Sequence, residues 1–252
     1  MSNVLDVLER RARAYVHRGE AWSFLRELPD DSVDAVVTDP PYASGGVSPT
    51  ARKASTSRKY VTSSSRRKFV DFAGDQRDQR GHFAWCVLWL SECLRVVRPG
   101  GALLCFSDWR QAPTFSDALQ CAGWSWKGTV VWDKTPACRP MPDGFRAQAE
   151  YVLFARKRGG ERVDPARARY FDGVFRVPAD RQKIHIASKP LALMRELVEI
   201  APEDGLVLDP FAGSGSTGVA ALERGRRFLG CEMVDHFHAI AAARVGGDAA
   251  AA

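Results

Sequence analysis

Short apolar runs recur along the chain, and each stops abruptly at polar, glycine or proline residues. Runs at 14–17, 35–38, 102–107, 129–132, 151–155, 206–208 and 228–231 are strand-length and predict strands. Between several of them, apolar residues fall at helical spacing. Helices are expected at 83–97, closed by the stop signal "RPGG", and at 114–122. A further helix is expected at 188–200, with Ser188 as N-cap and Pro190 in the first turn, then others at 215–224 and 236–245. Strands alternating with helices predict a parallel sheet covered on both faces. No internal repeat or linker interrupts the pattern, and 252 residues suffice for one large α/β domain. Residues 136–183 are richer in Arg, Pro and Gly and less periodic, so a small β-rich insertion is expected there rather than more of the sheet. The alanine-rich stretch after Gly247 reads as a frayed tail.

Two strand ends carry unusual chemistry. The run Ala35-Val36-Val37 leads into Asp39-Pro40-Pro41-Tyr42. Consecutive prolines donate no backbone hydrogen bond and hold the chain extended, so the strand should leave its sheet as a stiff spur bearing one acid and one aromatic ring. Downstream, "VLDPFAGSGSTGVAALERGRRFLGCEM" ends a strand at Asp209 and enters a helix through a glycine-rich turn. Glycines 213, 215 and 218 have the G-x-G-x-x-G spacing, and Glu232 stands at the next strand's end, where an acid can bond ribose hydroxyls. A P-loop would need Gly-Lys-Ser/Thr at the helix start, and the turn has no lysine. A dinucleotide fits the glycine spacing, but only about one helix follows Glu232 where a dinucleotide half would need further βα units. S-adenosylmethionine, a nucleoside cofactor without a pyrophosphate, fits the turn and the acid together. In an open parallel sheet Asp39 and Asp209 should both project into one crevice at the strands' carboxyl ends.

Charge sharpens this picture. The formal net charge is +6 and the pI about 9.1, which favours an anionic partner. Between Ala43 and Phe69 there is no acidic residue, while Arg52, Lys53, Arg58, Lys59, Arg66, Arg67 and Lys68 sit among serines and threonines. That composition buries little and predicts a mobile basic loop gripping phosphates beside the spur. The six cysteines form no CxxC pair and have no zinc-type histidine spacing, so no metal is expected and a reducing compartment is. The opening "MSNVLDVLERRARAYV" lacks a signal-peptide core and no apolar run reaches spanning length. A soluble, cytoplasmic protein is expected.

The two motifs together, "DPPY" upstream and "DPFAGSG" downstream, resemble the amino-methylating DNA methyltransferases of permuted motif order, the β class. The likeness runs over nearly the whole chain, through "SVDAVVTDPPY", "WLSECLRVVRPGGALLCFSDWR", "AGWSWKGTVVWDK", "AEYVLFA" and "KPLALMRELVEIAPEDGLVLDPFAGSGSTG", and is strongest to small phage-type members. The resemblance implies a Rossmann-like, mostly parallel methyltransferase sheet with helices on both faces. It divides the chain into a catalytic half at 1–135 with the basic loop 43–70, a DNA-recognition insertion at 136–183, a cofactor half at 184–247 and a tail at 248–252.

It also implies the activity: direct transfer of the sulfonium methyl group to N6 of adenine or N4 of cytosine in double-stranded DNA. Asp39 and the Pro40 carbonyl, with Pro41 fixing the spur, would bond the amine hydrogens, and Tyr42 would stack on a flipped base. A tryptophan would hold the other face. Asp209, Phe211, Ala212, Gly213 and Gly215 would form the methionine-side pocket, with Ser216 and Thr217 at the helix N-terminus and Glu232 on the ribose. "HIASKP" is similar to the family's "HPTQKP" element, which brings His185 and Lys189 to the cofactor, although Ile186 and Ser188 depart from that pattern. Glu20, in "VHRGEA", stands where the family has "GD" and is either near the cofactor or a surface carboxylate. Arg139, Arg146, Arg167, Arg169, Arg176 and Arg181 are the candidates to reach DNA. "DPPY" goes mostly with adenine, so N6 is favoured over N4. No proline precedes a cysteine, which argues against the covalent carbon-methylating class. An RNA methyltransferase, a catalytically silent DNA-binding relative and a homodimer remain open, as does a phage or restriction-modification setting. The protein-glutamine methyltransferases usually carry "NPPY" after the glycine motif, unlike this chain.

Overall fold

The computed structural model describes residues 3–43, 77–138, 140, 142–160, 165–179 and 189–246. In chain order these form α1 (Val4–Leu8), β1 (Ala14–Arg18), α2 (Ala21–Glu27), β2 (Val33–Thr38), α3 (Gln79–Val96), β3 (Val97–Ser107), α4 (Ala112–Cys121), β4 (Ser125–Asp133) and β5 (Ala149–Arg156). A 3₁₀ turn (Pro165–Arg167) and β6 (Val174–Arg176) follow, then α5 (Leu191–Val198), β7 (Leu206–Asp209), α6 (Ser216–Glu223), β8 (Arg227–Glu232) and α7 (Asp235–Gly246).

The strands make one sheet in the order β1-β8-β7-β2-β3-β5-β4-β6, and β5 alone runs against the others. Side chains alternate between its faces, as strand geometry requires. Val36, Leu103 and Leu208 join one buried cluster with α1, α2, α3 and α4. Ala35, Val37, Leu104 and Val207 join the other with α5, α6 and α7. Covered on both faces, β2 and β7 are almost wholly buried, which explains their continuous apolar runs. Each fully buried Val or Leu contributes about 1.5–3 kcal/mol of transfer free energy.

All seven expected strands are present, most with ends extended by one to several residues. The helix expected at 188–200 begins instead at Leu191, with Pro190 extended at its N-cap (φ −60°, ψ 133°). A residue before proline is disfavoured in the helical region, so Lys189 cannot join the first turn; Ser188 lies outside the described residues. The "RPGG" signal ends α3 at Val96, but its residues continue straight into β3 rather than forming a separate turn. Gly100 has φ 80° there, and a Cβ on it would stand 2.9 Å from the Cα of Gly160. Two short helices, α1 and α2, had no periodic signal and are fixed by their caps: an Asn3/Asp6 capping box and the Glu20 side chain.

Residues 136–183 are not an insertion apart from the sheet. β5 lies within that window and is wedged between β3 and β4 along nearly its whole length. Its antiparallel pairing lets a single loop, 134–148, return the chain directly to the sheet. No helix among the described residues is long and apolar enough to cross a membrane.

Candidate active site

β2 and β7 lie side by side although 171 residues separate Thr38 from Asp209, and one hydrogen bond ties their tips. Asp209 Oδ1 accepts from Thr38 Oγ1 (2.7 Å) and from the Phe211 amide (3.0 Å); Oδ2 accepts from Thr217 Oγ1 (2.6 Å). The residue is 2% exposed. Asp209 was expected to project into the crevice. It is turned inward instead, beneath the glycine turn, and clamps that turn and the first turn of α6 to β2. Burial pushes its carboxyl up to about 6, against the lowering effect of the Thr217 and Thr38 hydroxyls. Thr217, expected to face the cofactor, likewise directs its hydroxyl to Asp209.

Above this clamp the turn runs Phe211-Ala212-Gly213-Ser214-Gly215. Gly213 (φ 52°) and Gly215 (φ 81°) are left-handed, a conformation costly for residues with a Cβ. The nearest atom to a Cβ on Gly213 would be 4.0 Å away, so this part of the turn faces open space. Gly218 serves packing: a Cβ there would meet Phe228 at 2.6 Å and Val245 at 2.7 Å. Ser216 is buried at the start of α6. Glu232, at the tip of β8, accepts from the Gly213 amide through Oε2 (2.9 Å) and from the Val234 amide through Oε1 (2.8 Å). Burial raises its carboxyl, while the Val234 and Gly213 amides lower it. Each oxygen keeps acceptor capacity for a further donor. The Phe211 ring packs against Trp85 (5.5 Å) and Trp89 (5.2 Å), and the Arg77 guanidinium covers Trp85 at 4.2 Å.

One strand away, Asp39 and Tyr42 occupy the tip of β2. The Tyr42 hydroxyl donates to Asp39 Oδ1 (2.5 Å), and the Lys189 ammonium donates to Oδ2. Lys189, expected to line the cofactor site, thus lies against the spur. Its Nζ lies 3.4 Å from the Tyr42 hydroxyl and 3.6 Å from Glu150 Oε2, and Lys134 holds the other oxygen of Glu150 at 3.2 Å. The faces of Phe106 (4.9 Å) and Tyr42 (5.7 Å) complete the ammonium's surroundings. Burial pushes the Asp39 carboxyl up; Lys189 and the Tyr42 hydroxyl pull it partly back. Burial and the neighbouring Asp39 raise Tyr42 well above its usual range. For Lys189 burial acts downward, and the carboxylates of Asp39 and Glu150 outweigh it. Pro40 is buried and Pro41 half-buried, as a stiff exit from the sheet requires.

Other expected residues fall elsewhere. Glu20 is committed to the N-cap of α2, accepting from the Ser23 amide at 2.9 Å. Arg146 is exposed and donates to the carbonyls of Pro136 and Cys138 (3.0 Å each), bracing the loop between β4 and β5. Arg169 donates to the carbonyls of Glu199, Ile200 and Ala201 behind α5, and Arg176 faces Asp133 at 3.6 Å. The seven basic residues of the loop 43–70, with Arg139, Arg181, His185 and Ser188, lie outside the described residues. Glu150 and Lys134 were not anticipated. Glu150 lies inside the quoted "AEYVLFA", but nothing in that run reveals that β5 faces the spur. Among the cysteines, Cys86, Cys93, Cys105 and Cys231 are buried, and burial raises their thiols.

Residues 33–243 match the family model described as DNA methylase, of the N6/N4 type. The chain is 29% identical over 222 residues to an inferred methylase, YubD, of Escherichia coli K12, covering 88% of this chain and 85% of that one. Among solved structures, an inferred DNA modification methylase of Thermus thermophilus, complexed with S-adenosyl-L-methionine, superposes with a TM-score of 0.67. It is 24% identical, over 93% of this chain and 95% of that one. The PvuII DNA methyltransferase, which is cytosine-N4-specific, gives 0.66 at 16% identity, over 92% and 86%. These likenesses match the Rossmann-like sheet expected from the sequence.

Proposed function

The chain belongs to the DNA methylase family of the N6/N4 type, and from that premise we propose that it methylates an exocyclic amine of double-stranded DNA, adenine N6 before cytosine N4. The observation that carries the reading is the pairing of two strand tips. A carboxylate and an aromatic ring stand on β2, one strand from a left-handed glycine turn braced by Glu232. The open space over Gly213 and the acceptor capacity of Glu232 fit S-adenosylmethionine, which supplies a methyl group on a sulfonium leaving group.

The chain's own work is positional and electrostatic. An exocyclic amine is a poor nucleophile because its lone pair is delocalised into the ring. Asp39 and the Pro40 carbonyl accept its hydrogens, draw nitrogen towards a tetrahedral shape and stabilise the positive charge that develops there. S-adenosylmethionine would supply the methyl group, its C–S bond breaking as the C–N bond forms, and the alkylated nitrogen would pass its proton to solvent. Tyr42 supplies one face against which a flipped base stacks. We assign the basic loop 43–70, Arg139 and Arg146 to the DNA backbone. Replacing the loop's seven basic residues should weaken DNA binding and flatten its salt dependence; an unchanged salt slope overturns that assignment.

The deciding experiment is mass spectrometry of nucleosides from DNA incubated with the protein and S-adenosylmethionine, beside the Asp39→Ala variant. N6-methyladenine from the intact protein alone supports the whole reading. N4-methylcytosine keeps the mechanism and reverses the base. No methylated base, with the cofactor bound, overturns it in favour of RNA or a silent relative.

A further inference from the structure

Asp39 has a problem that its motif does not solve. It must accept hydrogen bonds from an incoming amine as a carboxylate, yet it lies where burial favours the neutral acid. A neutral carboxyl has one oxygen converted to a donor and loses the charge that opposes developing positive nitrogen.

The groups facing Asp39 come from several elements. Tyr42 follows it on the spur, Lys189 precedes α5, and Glu150 with Lys134 comes from β5 and the chain just after β4. Cys105 of β3 and Asp209 of β7 lie close enough to interact electrostatically. Of all these, Lys189 alone is both cationic and in contact with the Asp39 carboxylate. Its side chain is 8% exposed, so solvent screens the pair little. The charges alternate in a row, Asp39, Lys189, Glu150, Lys134, the cation of each pair lying within 3.6 Å of the next carboxylate.

We propose that Lys189 is a positioning residue for methyl transfer, keeping the Asp39 carboxylate charged and oriented, while the nearby Glu150 carboxylate acts on Asp39 in the opposite sense. The assignment rests on the transferase reading for its purpose and on this geometry for its substance. It gives Lys189, within "HIASKP", a role on Asp39 besides the cofactor contact expected of that element.

Coulomb's law gives the two flanking residues opposite signatures. Removing the positive charge in Lys189→Met favours protonated Asp39. Removing the negative charge in Glu150→Gln favours ionised Asp39. The test is the pH dependence of single-turnover methylation, with ¹³Cγ-aspartate NMR of the DNA-free protein and calorimetric titration of S-adenosylmethionine. With Lys189→Met, the Asp39 resonance and the acid limb of the rate should both move up by a unit or more. The rate should then fall most at acid pH and recover as pH rises through the raised Asp39 titration. Glu150→Gln should move both the other way, and cofactor affinity should stay within about twofold in each variant. Shifts of the same sign, no shift, or a selective loss of cofactor binding would overturn the assignment. A wild type that methylates no DNA sinks the transferase reading alone, because the NMR titration still decides what Lys189 does to Asp39.

Discussion

The tips of β7 and β2 are neighbours, yet they are built on different principles. At β7 the bonds are mostly short-range, the Thr38 hydroxyl on Asp209 being the long-range exception. Asp209 takes the amide two residues on and a hydroxyl eight residues on, and Glu232 takes amides of adjoining turns. Backbone geometry fixes that tip, and the left-handed Gly213 faces open space while the left-handed Gly215 packs against Ala241. At β2 the decisive contacts join side chains far apart in sequence, Lys189 to Asp39 across 150 residues, and most of them are charged. On the proposed reading, a cofactor cradle can be local because its task is shape, whereas the acceptor of an amine needs a charge held in a buried place, which distant partners supply.

The contrast predicts that the two tips fail in different ways. The largest effect is expected at β2: Asp39→Asn should slow methyl transfer by about 100-fold or more, the scale of losing one well-placed polar contact at a reacting centre. S-adenosylmethionine affinity should barely change; a loss of cofactor affinity matching the rate loss would erase the distinction between the tips.

The β7 tip should instead show itself in stability. The Asp209 carboxyl, raised from 3.8 to about 6 in the folded state, binds a proton more tightly there than in the unfolded chain. Its contribution to stability is therefore fully present below pH 3.8 and is lost as pH rises through about 6. The loss is on the order of 3 kcal/mol at neutral pH relative to the acid limit. Asp209→Asn keeps a carbonyl acceptor without the charge, and urea unfolding at pH 4.5 and pH 7.5 should show a smaller difference between the two pH values than in wild type.

Gly215→Ala comes next, at about 1–2 kcal/mol of destabilisation, because φ 81° and a 3.1 Å approach to the Cα of Ala241 leave little room for a methyl group. Cofactor affinity, read by calorimetry, should fall with it. Arg146→Ala should be smallest, under about 0.5 kcal/mol in stability, since the side chain is exposed. Any few-fold loss in DNA affinity should come without loss of cofactor binding.

The local tip was the legible one. Glycine spacing, the acid at the next strand's end and the stiff Asp-Pro-Pro-Tyr exit can all be read within short windows, because the physics that sets them is short-range. Reading failed where meaning depends on a distant partner. Lys189, beside a proline at a helix start, looks like part of a cofactor element and turns out to hold Asp39. Glu150 looks like one polar residue in a strand. Asp209 looked like a ligand contact because it ends a strand, but Thr38 and Thr217 draw it inward. The fold shows the same division: all the strands of the apolar runs were visible, whereas the wedging of β5 between β3 and β4 depends on pairing that composition does not encode. The short helices α1 and α2 rest on caps rather than on periodicity.

The strand order β1-β8-β7-β2 has one more consequence, which concerns synthesis. The two strands that fill the gap between β1 and β2 emerge last from the ribosome. Until residue 209 has been added β2 presents an unpaired edge, and until residue 232 has been added β1 lacks its partner. The acid-bearing spur is therefore translated early but stays without its neighbour through most of elongation. A prematurely terminated product would carry the Asp-Pro-Pro-Tyr spur with no glycine turn beside it and an unpaired sheet edge, and would be a substrate for proteolysis.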